Sequence, residues 1–168
     1  MMETQIYSAM TRYNRWMNNN LLEACAQIPD EARKRDLGAP FGSIHGLWNH
    51  ILVADRIWLA RFTEQPMPYS SLNTEVCVDF ADFRVERAHT DDAIDAFIAS
   101  LSAEKLTEPF SFVPLSSPIR RTLPFYIVVS HLFNHQTHHR GQISALLEHL
   151  GGDCGVTDLA AMQEWQME

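Results

Sequence analysis

HLFNHQTHHRGQISALLEHLG, residues 131–151, is the stretch on which the reading of this chain turns. Leu132, Ile143, Leu146, Leu147 and Leu150 recur at helical spacing, and Gly151-Gly152 ends the run. Its first twelve residues, 131–142, hold four of the protein's eight histidines. Residues four apart on a helix project from one face with Cβ atoms about 5–6 Å apart, close enough for two imidazoles to grip one ion. His135 and His139 have that spacing, and so do His131 and His135. His138 lies about 100° around the axis from His139 and does not share its face. Spacing alone leaves two overlapping pairs.

Working outward, the helical pattern begins near residue 124, with Ile127 on the stripe and Pro124 suited to a first turn. Residues 3–28 carry Ile6, Met10, Tyr13, Met17, Leu21, Ala24 and Ile28 in steps of three and four, which predicts a first helix. Pro29 ends it, and the polar run to Pro40 reads as a loop of a dozen residues. Ser43 is suited to cap a second helix that carries Ile44, Leu47, Ile51, Ala54, Trp58 and Phe62 and reaches about residue 64. QPMPYSSLN, residues 65–73, is a connector. A third helix is expected over about residues 80–101, with Thr90-Asp91 as a fresh start or a polar turn within it. Residues 108–123 hold three prolines and alternating apolar residues around Ser116-Ser117, which reads as a short hairpin or extended loop. A last short helix is expected from Thr157 or Asp158, carrying Leu159, Met162 and Trp165. The expected fold is therefore all-α: an antiparallel four-helix bundle with a short C-terminal fifth helix and a small hairpin before the fourth long helix, in one domain spanning 1–168.

At 168 residues and 46% hydrophobic the chain is large enough to bury a core without staples. A net charge of −8 and a pI near 5.4 argue against nucleic acid as a partner, since phosphate binding draws on clustered Lys and Arg. Arg33-Lys34-Arg35 and Arg120-Arg121 are the only basic knots, and both are short. No apolar run is long enough for a membrane helix, and the first residues lack the order of a signal peptide, so no membrane partner and a cytoplasmic location are expected. Cys25, Cys77 and Cys154 are widely spaced with no CxxC, and read as reduced thiols rather than a disulfide frame or a zinc site.

Catalytic zinc usually takes three protein ligands and keeps one position open, so two imidazoles need a third from another helix. His50, in LWNHILVADRIW, is in register with Leu47, Ala54 and Trp58 and so turned inward. A buried imidazole with no partner costs about 1–3 kcal/mol, and a metal shared with His135 and His139 would satisfy all three rings at once. The competing reading is an ordinary hydrogen-bonded core histidine. His45 falls on a different face from His50. Asp55 is expected to pair with Arg56 or Arg140, or to orient an imidazole; Arg140 and Gln142 are expected to serve packing or a helix end, and Gly141 close helix approach. Trp16, Trp48, Trp58 and Phe62 read as core aromatics, with one or two lining a pocket.

YNRWMNNNLL (13–22), APFGSIHGLWNHILVADRIWLARF (39–62) and the opening stretch together resemble the DinB-like family, named for a damage-inducible bacterial protein. The resemblance extends over nearly the whole chain in the family's order of segments, and NHQTHHRGQ together with the upstream NHIL-x-AD-x-x-W is its specific part. It implies a four-helix bundle with a three-histidine metal site whose ligands fall on His50, His135 and His139. It also implies zinc or nickel as the divalent ion, and a homodimer. Relatives in the superfamily include transferases and isomerases dependent on low-molecular-weight thiols, and metal-dependent hydrolases. The expected function is accordingly that of a divalent-metal-binding protein, a hydrolase or thiol-dependent transferase acting on a small-molecule or thiol substrate. The alternative is a non-catalytic, metal-stabilised stress-response module. Residues 29–42, 65–78 and 109–118 are expected to shape any pocket.

Overall fold

The computed structural model describes residues 2–162. Four long helices, α1 (Met2–Ala26), α3 (Ile44–Phe62), α4 (Phe80–Ala99) and α6 (Phe125–His149), form the bundle. Two short helices, α2 (Asp30–Lys34) and α5 (Ala103–Thr107), and a hairpin of β1 (Pro109–Phe112) and β2 (Arg121–Pro124) fill the connections. The hairpin pairs Pro109 with Pro124 and Phe112 with Arg121 in antiparallel register. A short 3-10 turn, Leu159–Ala161, follows Asp158 where a C-terminal helix was expected; Trp165, predicted to belong to it, lies outside the described residues.

α1 and α3 each pack against both α4 and α6. Side-chain pairs give the directions. Thr11 meets Asp95 and Glu23 meets Arg84, so α1 and α4 are antiparallel. His50 meets His135 and Trp58 meets His131, so α3 and α6 are antiparallel. Trp48 meets Phe83 and Phe62 meets Phe97, so α3 and α4 run parallel. The chain leaving α3 at Phe62 must therefore travel back along a helix of 19 residues, roughly 27 Å, before α4 can begin. The proline-bearing connector makes this return, and its path alongside α3 proves decisive for the site.

Capping agrees with the chemistry read from the sequence. The Ser43 side chain accepts a hydrogen bond from the Gly46 N–H at 3.0 Å and starts α3, and the Asp79 side chain accepts from the Ala81 and Asp82 N–H groups to start α4. Gly151, at φ +83°, stops α6. The expected loop over residues 29–40 is interrupted by α2, whose Arg33 is buried. Its guanidinium donates to the Cys25 carbonyl at 2.8 Å, one of the open C-terminal carbonyls of α1, and also to the carbonyl of Ile28 just beyond the helix. A residue that reads as part of a solvated basic knot is thus a helix cap. Ile6, placed on the inward stripe of α1, is 56% exposed, and its neighbour Tyr7 takes the inward position, buried with its hydroxyl on the Tyr126 carbonyl.

The core has two apolar clusters. One gathers Leu21, Trp48, Phe83 and Leu147; the other gathers Trp58, Ile94, Phe125 and Leu132. Between them lies a polar layer drawn from all four long helices: Asn14 and Asn18, Asp55, Arg87 and Asp91, Gln136 and Arg140, every one buried. Arg87 donates to Asp55 at 2.5 Å and to Asp91 at 2.9 Å. Gln136 donates to Asp55 at 2.6 Å, and Arg140 donates to Asn14, Asn18 and Gln136. Asp55 thus pairs with Arg87 and Gln136 rather than with Arg56, which is held by Glu86, or Arg140, which is held by the asparagines. Thr90 and Asp91 mark neither a break nor a surface turn; both are buried within an unbroken α4. Asp91 serves the layer, while the Thr90 hydroxyl accepts from Arg56 and donates to the Glu86 carbonyl, and this buried polarity explains why the sequence reads as an interruption there.

Candidate metal centre

α6 places His135 and His139 one turn apart on the side facing α3, and α3 places His50 opposite them. His50 Nε2 lies 3.2 Å from His135 Nε2. One ligating atom from each of the three histidines can be chosen so that all lie within 4.8 Å of one another. Nitrogen donors bound to zinc at 2.0–2.1 Å in tetrahedral directions stand about 3.3 Å apart, so the observed spacing of the first pair suits a shared ion.

For His50 and His139 the remaining ring nitrogen fixes which atom the histidine presents. His50 Nδ1 lies 3.1 Å from the Leu72 carbonyl, which can only accept, so Nδ1 carries the proton and Nε2 keeps its lone pair toward His135. His139 Nδ1 lies 2.7 Å from Gln142 Oε1 and is tied in the same way, leaving its Nε2 free. His135 Nδ1 is buried without a partner. Burial pushes the His50 imidazole down to about 4 and that of His135 down to about 3, and lowers His139, so the rings are neutral at neutral pH. Neutral imidazoles with converging lone pairs have poor company in one another and good company in a cation.

Three surrounding features hold this arrangement; the sequence offers none of them as part of a metal site, and Gln142, expected to serve packing or a helix end, bonds His139 instead. Asn49, next to His50, accepts from the Val76 and Cys77 N–H groups at 2.8 and 3.0 Å and donates to the Cys77 carbonyl at 3.1 Å. It pins the returning connector to α3 and so sets the Leu72 carbonyl against His50. Phe41 stacks on His50, with ring centroids 3.7 Å apart at 15°, and meets His139 edge-on at 5.8 Å. It does so from a strained backbone, φ +61°, followed by Gly42 at φ +78°. Gly46 permits the approach, because a Cβ there would sit 2.0 Å from the Phe41 carbonyl oxygen. The third feature is Gln142, three residues after His139 and thus on an adjacent face of the same helix. The i,i+3 spacing is the one signal that could have revealed it.

Other residues expected near the site are placed elsewhere. His131 sits with its ring edge-on to Trp58 at 5.3 Å and 5.8 Å from the His135 ring, one turn away from the converging trio. His138 is exposed, and Arg140 faces the buried layer. Gly141 is also exposed, and a Cβ there would meet nothing within 4 Å, so it serves no close helix approach. His45 is buried beside Asn49, 3.2 Å from Glu75. The three cysteines are free and buried. Burial pushes the Cys25 thiol up to about 11, and the Glu148 carboxylate does the same to Cys154, which removes both from nucleophilic duty at neutral pH.

A cavity of about 360 Å³ adjoins the trio, with His135 and Leu72 in its wall together with Trp58, Phe112 and His131. The hairpin closes its far side. On the opposite side, a second cleft of about 540 Å³ runs past His50, Phe41 and Glu75. Among the described residues, no helix is long and apolar enough to cross a membrane.

Comparison with known proteins agrees with this architecture. The chain is 24% identical over 154 residues to Protein DinB of Bacillus subtilis (strain 168), covering 87% of both chains. Its fold is similar to the crystal structure of a DinB-like protein from Bacillus cereus, with a TM-score of 0.66 at 20% identity over 92% of this chain and 94% of that one. The DinB family profile matches residues 1–168, and the chain belongs to the DinB family.

Proposed function

We propose that His50, His135 and His139 hold one divalent ion, zinc or nickel, and that the protein is a metal-dependent hydrolase or a transferase that uses a low-molecular-weight thiol. The observation that carries this reading is the trio itself: neutral imidazoles on two helices, His50 and His139 buried and His135 half-buried, with donor atoms converging and two of the rings oriented by hydrogen bonds at their far nitrogens. Imidazole donors suit several first-row divalent ions, zinc and nickel among them. A bound ion would supply Lewis acidity, lowering the pKa of a coordinated water or thiol toward neutrality. The protein's own part is to present three lone pairs, to cover His50 with Phe41 and to place an adjoining cavity where a substrate can reach the trio.

The trio also joins α3 to α6, which favours a second reading in which the ion only staples the bundle. Elemental analysis of protein purified without a histidine tag or nickel chromatography tests the common premise. Close to one equivalent of metal is expected, and His139→Ala is expected to lose it while remaining folded. Full metal content in that variant would remove His139 from the ligand set. Chelation separates the two readings. A catalytic site loses turnover of a thiol conjugate or ester and regains it with added metal, whereas a staple loses stability and never shows turnover.

A further inference from the structure

The cavity beside the trio carries a charge pattern at odds with the rest of the molecule. The protein has a net charge of −8, yet among the described residues the cavity wall holds two arginines, Arg61 and Arg121, and no aspartate or glutamate. Neither arginine has a carboxylate within ion-pair distance among the described residues, whereas Arg15, Arg33, Arg56, Arg84 and Arg87 each do. Arg61 is half-buried at the end of α3. One Nη donates to the Val113 carbonyl at 2.8 Å, and the guanidinium lies over the Trp58 ring at 4.6 Å and near that of Phe112 at 5.4 Å. One carbonyl leaves most of its five donors without a charged acceptor. The rest of the wall is chiefly apolar, with Ile57, Trp58, Phe112, Leu115 and Ile127 around the space.

We propose that this cavity is the substrate pocket and that it takes a small apolar or aromatic acid, with its carboxylate on Arg61 and Arg121 and its other end toward His135. This rests on the proposed metal site for the meaning of the His135 end, but the recognition itself is a property of the two arginines. A planar guanidinium forks onto a carboxylate, and a wall with no acid of its own gives that carboxylate no competitor. The apolar wall takes up the body of the ligand. A body of bicyclic aromatic size is within the reach of a cavity of about 360 Å³. Helix α3 contributes Arg61 from its last turn and α6 contributes His135, so two packed helices of the bundle space the ends of the ligand.

Calorimetric titration with 2-naphthaleneacetate and its uncharged isostere 2-naphthaleneacetamide tests this, on wild type, Arg61→Met, Arg121→Met, Arg61→Lys and the double methionine variant. The acid is expected to bind the wild type more tightly than the amide. Arg61→Met is expected to weaken acid binding about tenfold, the size of one lost charge-assisted hydrogen bond, and to leave the amide within about twofold. Arg61→Lys should restore part of the preference, and circular dichroism reports whether each variant is folded. Equal binding of acid and amide by the wild type, no binding of either, or a preference that survives in the double variant would overturn the proposal. A preference abolished by chelation and untouched by the arginine substitutions would do the same, because the anion would then sit on the metal. Metal content measured on the same samples keeps the two proposals apart. An arginine-dependent preference in protein that binds no metal supports this pocket while removing the metal site.

Discussion

On α6, neighbouring residues belong to two opposite kinds of polar site. Gln136 and Arg140 turn into the bundle and join a layer in which two arginines face two aspartates, with asparagine and glutamine amides between them. His135 and His139, each one residue earlier, turn toward α3 and leave converging lone pairs that no protein donor other than a neighbouring imidazole approaches among the described residues. The first site is closed: its charges cancel, and of its buried side-chain polar atoms only Asp55 Oδ1 and Arg87 Nε lack a hydrogen-bond partner among the described residues. The second is open: its donors are arranged but unspent. Burial of polar groups thus says little about function until their hydrogen bonds are counted, since a satisfied layer specifies the packing of the helices and an unsatisfied one has room for a ligand.

Substitutions should separate the two. Arg87→Met strands Asp55 and Asp91 in the core, and urea denaturation is expected to show a loss of about 3–5 kcal/mol, the cost of breaking a buried ion pair from one side. Metal content per folded molecule should stay unchanged; if it falls, the two sites are coupled and the contrast drawn here is too sharp. Gly46→Ala acts from the open side, driving a Cβ against the Phe41 carbonyl. It is expected to cost about 1–3 kcal/mol as overpacking and to weaken metal binding through the displaced Phe41 ring. Gln142→Leu removes only the hydrogen bond that orients His139, and metal affinity measured by competition with a chromophoric chelator is expected to fall about 10–100-fold, with stability of the metal-free protein barely changed.

The smallest effect concerns pH in metal-free protein. His50 and His135 are pushed down to about 4 and about 3 in the folded state, while unfolded histidine titrates near 6.5. Between those values the unfolded chain binds protons that the folded one refuses, so stability is full above about pH 6.5 and falls as pH drops through 4. The difference in stability between wild type and His50→Gln should therefore shrink as pH falls through that window. A difference independent of pH would mean that the His50 ring is not desolvated as the structure shows.

Much of this was legible in the residues. The stripe of Ile44, Leu47, Ile51 and Trp58 announced α3, Ser43 announced its cap, and Gly151-Gly152 the end of α6, because period and capping are local rules. The four-apart histidines and an inward His50 point to a shared ion, and the family resemblance selects His135 and His139 from the two pairs that spacing leaves open. Gln142 and Gly46 were not legible as parts of a site, because a glutamine three residues along a helix and a glycine near a helix start have many commoner uses. Asp55 was assigned to the wrong cations for a related reason: Arg56 and Arg140 are prominent in the text, but Arg87 is the one that α4 carries into the core beside it.

The sequence by itself determined the four long helices and which histidines share a face, since these depend on spacing along one chain. Only the tertiary structure decided that α3 and α4 run parallel, a relation between elements far apart in sequence. That direction forces residues 63–79 back along the bundle, where Asn49 fastens them and the Leu72 carbonyl accepts a hydrogen bond from His50 Nδ1. A three-histidine spacing becomes a set of oriented donors through contacts that no local rule contains.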